Sequence, residues 1–367
     1  ITQYLPSSLI EHIAGGDVWD LHGYDRMVKI MPPFVGVGQT TWFRGTSDAI
    51  SRNLNFVEDN DPRDVVILSG EHIYQMDYSR ALEFHREKNA DLTIVGKKLP
   101  KDRLSLRFGY LDYDEDHKVK FFKEKPNDFL SDFISIGIYI FKKEVLIAEI
   151  EKRAEGGPTQ NLVYDVIEPF ANESKRAFVH EFKGFWEYLE NVNSYYETTM
   201  KLLADDPPVD PVKWEIVTNL EDRALGSRNP SFFSKSSNIQ NSIVSPGCHI
   251  HGQVSGSVLS PGVDVEEGAI VEDSIIMHDV KVKKGAHLRN VIADKNVLFE
   301  QNCQVGGITE EEVENPEIPA SPFHLTLIGK GAIIGEKIIV GCCSQVYPKK
   351  DLRSYAGTKF ASGINIK

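Results

Sequence analysis

From Asn238 onward the chain repeats itself. Ser242-Ile243-Val244, Ser257-Val258-Leu259, Ser274-Ile275-Ile276 and Asn290-Val291-Ile292 recur at spacings of 15, 17 and 16 residues. Two of these runs pass directly into the same tripeptide, Ser245-Pro246-Gly247 and Ser260-Pro261-Gly262. Shorter apolar beats lie between them, among them Val263-Asp264-Val265 and Val280-Lys281-Val282. A short apolar strand cannot bury its face alone. Even repetition with glycine at the corners lets each coil bury that face against the next. Residues 238–367 therefore predict a parallel β-helix rather than a β-sandwich, whose strands do not recur so evenly. Residues 325–340 read as a further coil, resumed after an insertion that carries the acidic run 309–314.

The first half has a different rhythm. Residues 7–14 read as a helix closed by Gly15 and Gly16. Residues 65–68 are an unbroken aliphatic run, expected of a strand buried on both faces. Asp77 can cap a helix to about Lys88, with Leu82, Phe84 and His85 near its inner face. Strands at 92–95 and 136–141 follow, the second leading into a helix over 142–153, and a closing helix spans 195–203. This alternation predicts a doubly wound, mostly parallel α/β sheet over 1–204. Asp205-Asp206-Pro207-Pro208 and Pro211 break the last helix, and 205–237 reads as a linker between the domains.

With 367 residues the chain can bury two cores. Its net charge of −13 argues against nucleic acid as a partner, since phosphate backbones demand basic surfaces. No stretch has the length and apolarity of a membrane span. Cys248, Cys303, Cys342 and Cys343 show no CxxC spacing, and adjacent cysteines make a poor disulfide, so reduced thiols and a cytoplasmic setting are expected. Residue 1 is Ile, and Ile1-Thr2-Gln3-Tyr4 reads as the end of a strand, so an earlier segment is expected to precede it.

Four segments could carry chemistry. Glu71 follows the 65–68 strand at once, and ligands of open α/β sheets bind beyond the carboxyl ends of strands. It is a candidate metal or phosphate-facing carboxylate; the alternative is a solvated loop acid. In 42–50, Gly45 allows close backbone approach, and Thr46, Ser47 or Asp48 can cap a helix whose start suits a nucleotide. The alternative is an ordinary loop-to-helix junction. In Phe122-Lys123-Glu124-Lys125-Pro126, the proline biases Lys125 toward an extended conformation, from which its ammonium could hold a phosphate. The alternative is a surface Lys-Pro pair. Residues 185–191 combine two aromatics and two acids, which either line a pocket or cover the sheet.

Taken in order, these segments resemble the sugar-1-phosphate nucleotidyltransferases, and most closely the ADP-glucose pyrophosphorylase (glucose-1-phosphate adenylyltransferase) family. The resemblance rests on ITQY at 1–4, WFRGTSDAI at 42–50, VVILSGEHIYQMDYSRAL at 65–82, FGYL at 108–111, KEKP at 123–126, SIGIYIF at 135–141 and FKGFWEYLENVNSYYE at 182–197. It implies a nucleotidyltransferase α/β domain followed by a left-handed β-helix. It also implies attack of glucose 1-phosphate on the α-phosphate of ATP, giving ADP-glucose and pyrophosphate, with Mg²⁺ bridging phosphates. By position, Phe43, Gly45 and Thr46 would serve the nucleotide, Lys125 the sugar phosphate, Glu124 the sugar hydroxyls, and Gly109 and Ser135 the sugar pocket. Glu71 and Lys125 would be the catalytic pair. A homo- or hetero-tetramer and a place in glycogen- or starch-type glucan synthesis under allosteric control follow from the same resemblance.

The sequence also departs from the family pattern. A metal-binding aspartate is expected where Glu71 stands, and the longer side chain displaces the carboxylate by roughly 1 Å. The second metal aspartate of a W-R-D-V-G-T-type motif falls on Tyr188, a poor Mg²⁺ ligand, while Glu187 and Glu190 are out of register. Phe43 replaces a common tyrosine. The family's glycine-rich phosphate loop lies before ITQY, so the sequence from Ile1 onward is expected not to hold a triphosphate in the family manner. The resulting expectation is a subunit with weak or no activity of its own. A fully active nucleotidyltransferase is the alternative, and a β-helix acyltransferase using His249 or His251 as general base is another.

Overall fold

The structure, a computed structural model, describes residues 1–4, 6–13, 16, 19–21, 23, 26–33, 42–154, 160–210, 213–216, 228–307, 313–319 and 322–367. Ala14 and Gly15 of the first expected helix, 211–212 (with Pro211) and 217–227 of the expected linker and 309–312 of the acidic run lie outside the described residues. The chain divides into two compact units, Ile1–Trp186 and Glu187–Lys367.

The first unit contains α1 (Ser7–Ile13), α2 (Thr46–Ser51), α3 (Leu54–Asn60), β1 (Asp64–Leu68), β2 (His72–Tyr74), α4 (Tyr78–Glu87), β3 (Leu92–Lys98), β4 (Gly109–Tyr113), β5 (Val119–Glu124), β6 (Phe133–Lys142), α5 (Lys143–Ala154), α6 (Glu168–Glu173) and β7 (Ala177–Glu181). Asp77 caps α4 as expected, its carboxylate accepting the Ser79 N–H at 3.0 Å. The buried residues of that helix are Ala81 and His85, with Leu82 and Phe84 half-buried.

The sheet runs β5-β4-β6-β3-β7, with β1 also paired to β6. It is mixed, not mostly parallel. β3 and β7 run parallel, whereas β6 runs antiparallel to β1, β3 and β4, and β4 is antiparallel to β5. The reason lies in the connections. β4, β5 and β6 follow one another through turns, and only crossover connections such as helices can return a strand parallel to its predecessor.

The strand buried on both faces is β6, not β1. Ile134, Ile136, Ile138 and Ile140 are fully buried, and on the opposite face Phe141 packs with Leu92, Ile94, Leu146 and Ile150. Among the described residues β1 pairs only with β6, its residues are half-buried, and Leu68 is 45% exposed. One side of β6 is shared. Ile134 pairs with Tyr110 of β4, while 138–142 pair with β1. Between these stretches Gly137 takes φ 71°, and the β3 ladder slips between Val95 and Gly96. The sheet therefore forks at Gly137.

The second unit begins with β8 (Trp186–Tyr188), whose first residue closes the first unit, and α7 (Val192–Met200), started by a reciprocal capping box between Asn191 and Ser194. Tyr196 of α7 packs with Ile275, Ile292 and Leu325 and donates its hydroxyl to the Asp273 carbonyl at 2.7 Å. This helix thus belongs with the repeat, and the structural division falls ahead of residue 204. The end of the expected linker joins the repeat: Phe232–Phe233 pairs in parallel with His249–Ile250.

The repeat folds into three parallel sheets of seven, seven and six strands, the coils of a β-helix. Each sheet sends one inward column through the stack. One column is Ile239, Val254, Val271, Leu288, Val305, Val340 and Phe360. A second is Ile250, Val265, Val282, Phe299 and Ile334, and the third runs from Val244 through Leu259, Ile276, Ala293, Ile328 and Val346 to Ile366. Fully burying one such aliphatic side chain contributes about 1.5–3 kcal/mol. Serines form a ladder at the edge of the third column: Ser242 Oγ accepts the Ser257 N–H and Ser257 Oγ that of Ser274, each at 3.1 Å. The spacing of 16 read for the fourth repeat is corrected to 17, because Ile275 pairs with Ile292 and Ser274 Oγ accepts the Val291 N–H. A slip of one residue would turn every side chain to the wrong face.

Candidate active site

The sheet brings Gly109, Glu124 and Ser135 into one buried polar cluster around Tyr139. Gly109 opens β4 opposite Glu124 at the end of β5. A Cβ on Gly109 would lie 2.6 Å from Glu124 Oε2 and 2.7 Å from the Phe122 ring, so the missing side chain is what makes room for the carboxyl. Glu124 is 8% exposed. Burial pushes its carboxyl up to about 7; the Lys125 ammonium opposes this and the neighbouring Glu168 adds to it. Glu168 also fixes the strand end, accepting the Glu124 N–H at 2.9 Å and pairing with Lys123 at 2.7 Å. Ser135 Oγ donates to the Tyr139 hydroxyl at 3.1 Å. Tyr139 is buried, and burial together with the Glu124 charge raises its hydroxyl well above the ordinary phenol value. This set can accept hydrogen bonds from polyol hydroxyls through a carboxyl that changes charge near neutral pH.

Lys125 stands at the rim, its ammonium 3.9 Å from Glu124 Oε1 and its side chain 46% exposed. Its backbone is not extended. It has φ 42°, and its N–H donates to the Phe108 carbonyl at 3.1 Å. Pro126 pushes the residue before it away from the right-handed helical region and toward extended backbone, which Lys125 does not adopt. The bond to Phe108 holds Lys125 in the left-handed region instead.

Glu71 lies in the turn between β1 and β2, exposed, beyond the end of the strand as expected. That turn is anchored at the fork. The Ser69 N–H donates to the Gly137 carbonyl at 2.9 Å, and a Cβ on Gly137 would press on Ser69 at 2.9 Å and His72 at 3.1 Å. His72 accepts the Trp186 indole N–H on Nδ1 at 2.8 Å and also hydrogen-bonds the Ile136 backbone. Burial lowers the His72 pKa against the opposing pull of Glu71, which favours the neutral ring.

Among the described residues, no group of three or more acids surrounds Glu71 in the manner of a ready-made metal cage. A single carboxylate is the lower end of the one or two that hold Mg²⁺ beside substrate phosphates and water, so Glu71 alone would hold the ion weakly. In the second unit Tyr188 ends β8, and its neighbour Glu187 is engaged with Lys201 at 3.0 Å.

Phe43, Gly45 and Thr46 are held by protein contacts of their own. Phe43 is buried, with its backbone clamped by the Gln3 side chain: its N–H donates to Oε1 at 2.8 Å and its carbonyl accepts from Nε2 at 3.3 Å. A Cβ on Gly45 would lie 2.8 Å from the Gln160 carbonyl carbon, the Ser47 N–H donates to the Gln160 carbonyl, and Thr46 Oγ1 accepts the Leu162 N–H. The close approach that Gly45 permits is thus to residue 160 of this chain. His249 is exposed and His251 packs its ring 5.6 Å from Phe232.

Sequence reasoning missed Tyr139, Glu168, His72 and Gly137. For Gly137 a signal existed, since a glycine inside an aliphatic strand marks a bulge or a close approach. The Glu168 and His72 contacts join residues 44 and 114 positions apart and leave no local pattern.

Comparison with known proteins bears on both units. Residues 1–205 match the Nucleotidyl transferase family, and residues 231–322 match the GlmU-like, C-terminal hexapeptide family. A glucose-1-phosphate adenylyltransferase of Fervidobacterium nodosum is 34% identical over 93% of this chain and 81% of its own length. That of Clostridium perfringens strain SM101 is 34% identical over 94% and 85%, and that of Bacillus mycoides 35% identical over 82% and 79%. Fold, repeat and sequence agree, and the chain belongs to the glucose-1-phosphate adenylyltransferase family.

Proposed function

We propose that this chain is a glucose-1-phosphate adenylyltransferase subunit that binds glucose 1-phosphate well and transfers the adenylyl group feebly, serving chiefly as a modulatory partner of a competent subunit. In the reaction a phosphate oxygen of the sugar phosphate attacks the α-phosphorus of ATP, and pyrophosphate leaves with the bond electrons. Glu124 and Ser135 orient the sugar through its hydroxyls, and Lys125 offsets phosphate charge at the rim of the pocket. His72 and Gly137 hold the turn that presents Glu71, the residue that would hold Mg²⁺. The metal, when bound, supplies charge neutralisation across the phosphates.

The observation that carries the weak-activity reading is the metal set. By the family resemblance, Glu71 and Tyr188 stand where two metal-binding aspartates are expected, and Glu187, the neighbour of Tyr188, is engaged with Lys201. Mg²⁺ requires near-ideal geometry at about 2.0–2.1 Å, so a neutral and a misplaced ligand both weaken it. Each tenfold loss in rate corresponds to about 1.4 kcal/mol of barrier. Assembly into a homo- or hetero-tetramer fits the half-exposed Phe232 and Phe233 of the first coil. No helix among the described residues is long and apolar enough to cross a membrane.

The test is pyrophosphate release by the intact protein, alone and after Tyr188→Asp with Glu71→Asp. A sharp rise in the double variant supports the reading. Ordinary turnover of the unmodified protein, about 1–10³ per second, defeats it and restores the fully active alternative.

A further inference from the structure

The last coils bring together three ligating side chains that the transfer reaction does not use. His324 Nδ1 or Nε2, Cys342 Sγ and Cys343 Sγ lie within 4.8 Å of one another, and Cys343 Sγ is 3.8 Å from His324 Nδ1. On one tetrahedral Zn²⁺, two thiolates and an imidazole stand about 3.6–3.8 Å apart, as follows from bonds of about 2.3 Å to sulfur and 2.0–2.1 Å to nitrogen. Shifts of about 1 Å or less close the set. Both cysteines are buried and His324 is half-buried.

The coil register shows that this corner departs from its own pattern. Cys343 stands where the other coils place Asn241, Gly256, Asp273, Asn290 and Gly363. All of these take a left-handed backbone, with φ between 40° and 75°. Asn, Asp and Gly tolerate that region, but cysteine has no such preference, and Cys343 is held there at φ 55°. On the preceding coil the column position is Leu325, and the left-handed residue is instead its neighbour His324, at φ 52°. The two residues that break the pattern are the two whose side chains meet.

The backbone around them is pinned. The Cys343 N–H donates to the His324 carbonyl at 3.4 Å, the Gly363 N–H to the Cys342 carbonyl at 2.9 Å, and Asn315 Nδ2 to the Cys343 carbonyl at 2.9 Å. Cys342 Sγ donates to Ser362 Oγ at 3.4 Å, on the next coil. Thiolate and imidazole donors suit zinc and copper(I) over Mg²⁺ or Ca²⁺.

We propose that His324, Cys342 and Cys343 form a binding site for a single Zn²⁺-class cation, with the fourth position open to water, which clamps neighbouring coils of the β-helix together. Binding replaces the two thiol protons, which leave to solvent. The site is independent of the sugar phosphate pocket, so its fate does not follow that of the proposed activity.

The experiment uses the intact, chelator-stripped and reduced protein, titrated with Zn²⁺ against a chromophoric chelator and with Co²⁺ by absorption. The expected result is one equivalent per chain, thiolate-to-Co²⁺ charge-transfer bands, and a Zn²⁺-dependent rise in melting temperature. Cys342→Ser with Cys343→Ser should weaken binding by about 100-fold or more and remove the bands. His324→Ala, which leaves both buried thiols in place, should weaken binding in a chain whose circular dichroism is unchanged. Binding well below one equivalent overturns the proposal, as does unaltered affinity in the double variant. So does a protein that, purified without reductant, has lost two thiols and two hydrogens by mass and takes up no metal after reduction, since the pair would then be a disulfide switch.

Discussion

Replacing Glu124 by glutamine should stabilise the protein at alkaline pH and leave it nearly unchanged in acid. Burial carries the Glu124 carboxyl from 4.5 to about 7. The folded state therefore holds its proton more tightly than the unfolded chain does. Between these two values the folded state binds the extra proton, so stability falls as pH rises and the loss is complete above the folded value. At about 1.4 kcal/mol for each tenfold change in proton affinity, the charged carboxylate costs the fold about 3 kcal/mol at pH 8. Glutamine has the same shape and no charge to bury. The Glu124→Gln variant should thus gain up to about 3 kcal/mol over the parent at pH 8 and close to nothing at pH 4. Urea unfolding followed by tryptophan fluorescence, to which the fully buried Trp186 contributes, measures the difference at both pH values. A difference independent of pH, or a loss of stability at pH 8, would refute the burial argument. The stored cost has a functional reading: hydroxyls of a bound sugar would satisfy the carboxylate and release it, so the same variant should bind glucose 1-phosphate less well although it is more stable.

Two further outcomes follow from the site. Lys125→Ala should weaken glucose 1-phosphate binding by about 1.5–3 kcal/mol, the range for a hydrogen bond to a charged group; unchanged affinity by calorimetry would remove the support for its assignment. Gly45→Ala should cost about 1–3 kcal/mol of stability, because the added methyl meets the Gln160 backbone, which cannot rotate away as a side-chain tip could; thermal unfolding equal to the parent would show that this strap yields.

The two halves of the chain were legible to different degrees. The β-helix could be read from its beats because each coil repeats the same local problem, and only the 16-residue spacing at Asn290 was placed one residue off. The α/β region betrayed its elements but not its strand directions. Whether β6 runs with or against β3 depends on how turns and crossovers close in space, and an apolar run looks the same in both directions. Glu124, Gly109 and Ser135 were singled out because a dense motif and two short segments carried them. Their setting was not, because the fork at Gly137, the Tyr139 hydroxyl and the Glu168 brace are long-range outcomes of packing. Lys125 shows the limit of a dipeptide rule: with its N–H bonded to Phe108 it takes a left-handed conformation against the extended bias of Pro126.

The stacking of the coils has a consequence for how this unit can change. Among the described residues each strand of the three sheets bonds only to the strand of the coil before and the coil after it, so the stack behaves as a one-dimensional lattice with nearest-neighbour coupling. The strand that ends at Gly306 and the strand that starts at Thr326 are separated by 307–325, and Thr326 takes up the next place in the stack, paired with Val291. Each doubling of such a detour adds only about 0.6 kcal/mol of closure entropy. Lengthening at a corner is therefore nearly free, whereas a single polar substitution in a column unseats the coils on either side of it. Descent with modification can write new loops onto the corners of this stack while leaving its bore untouched.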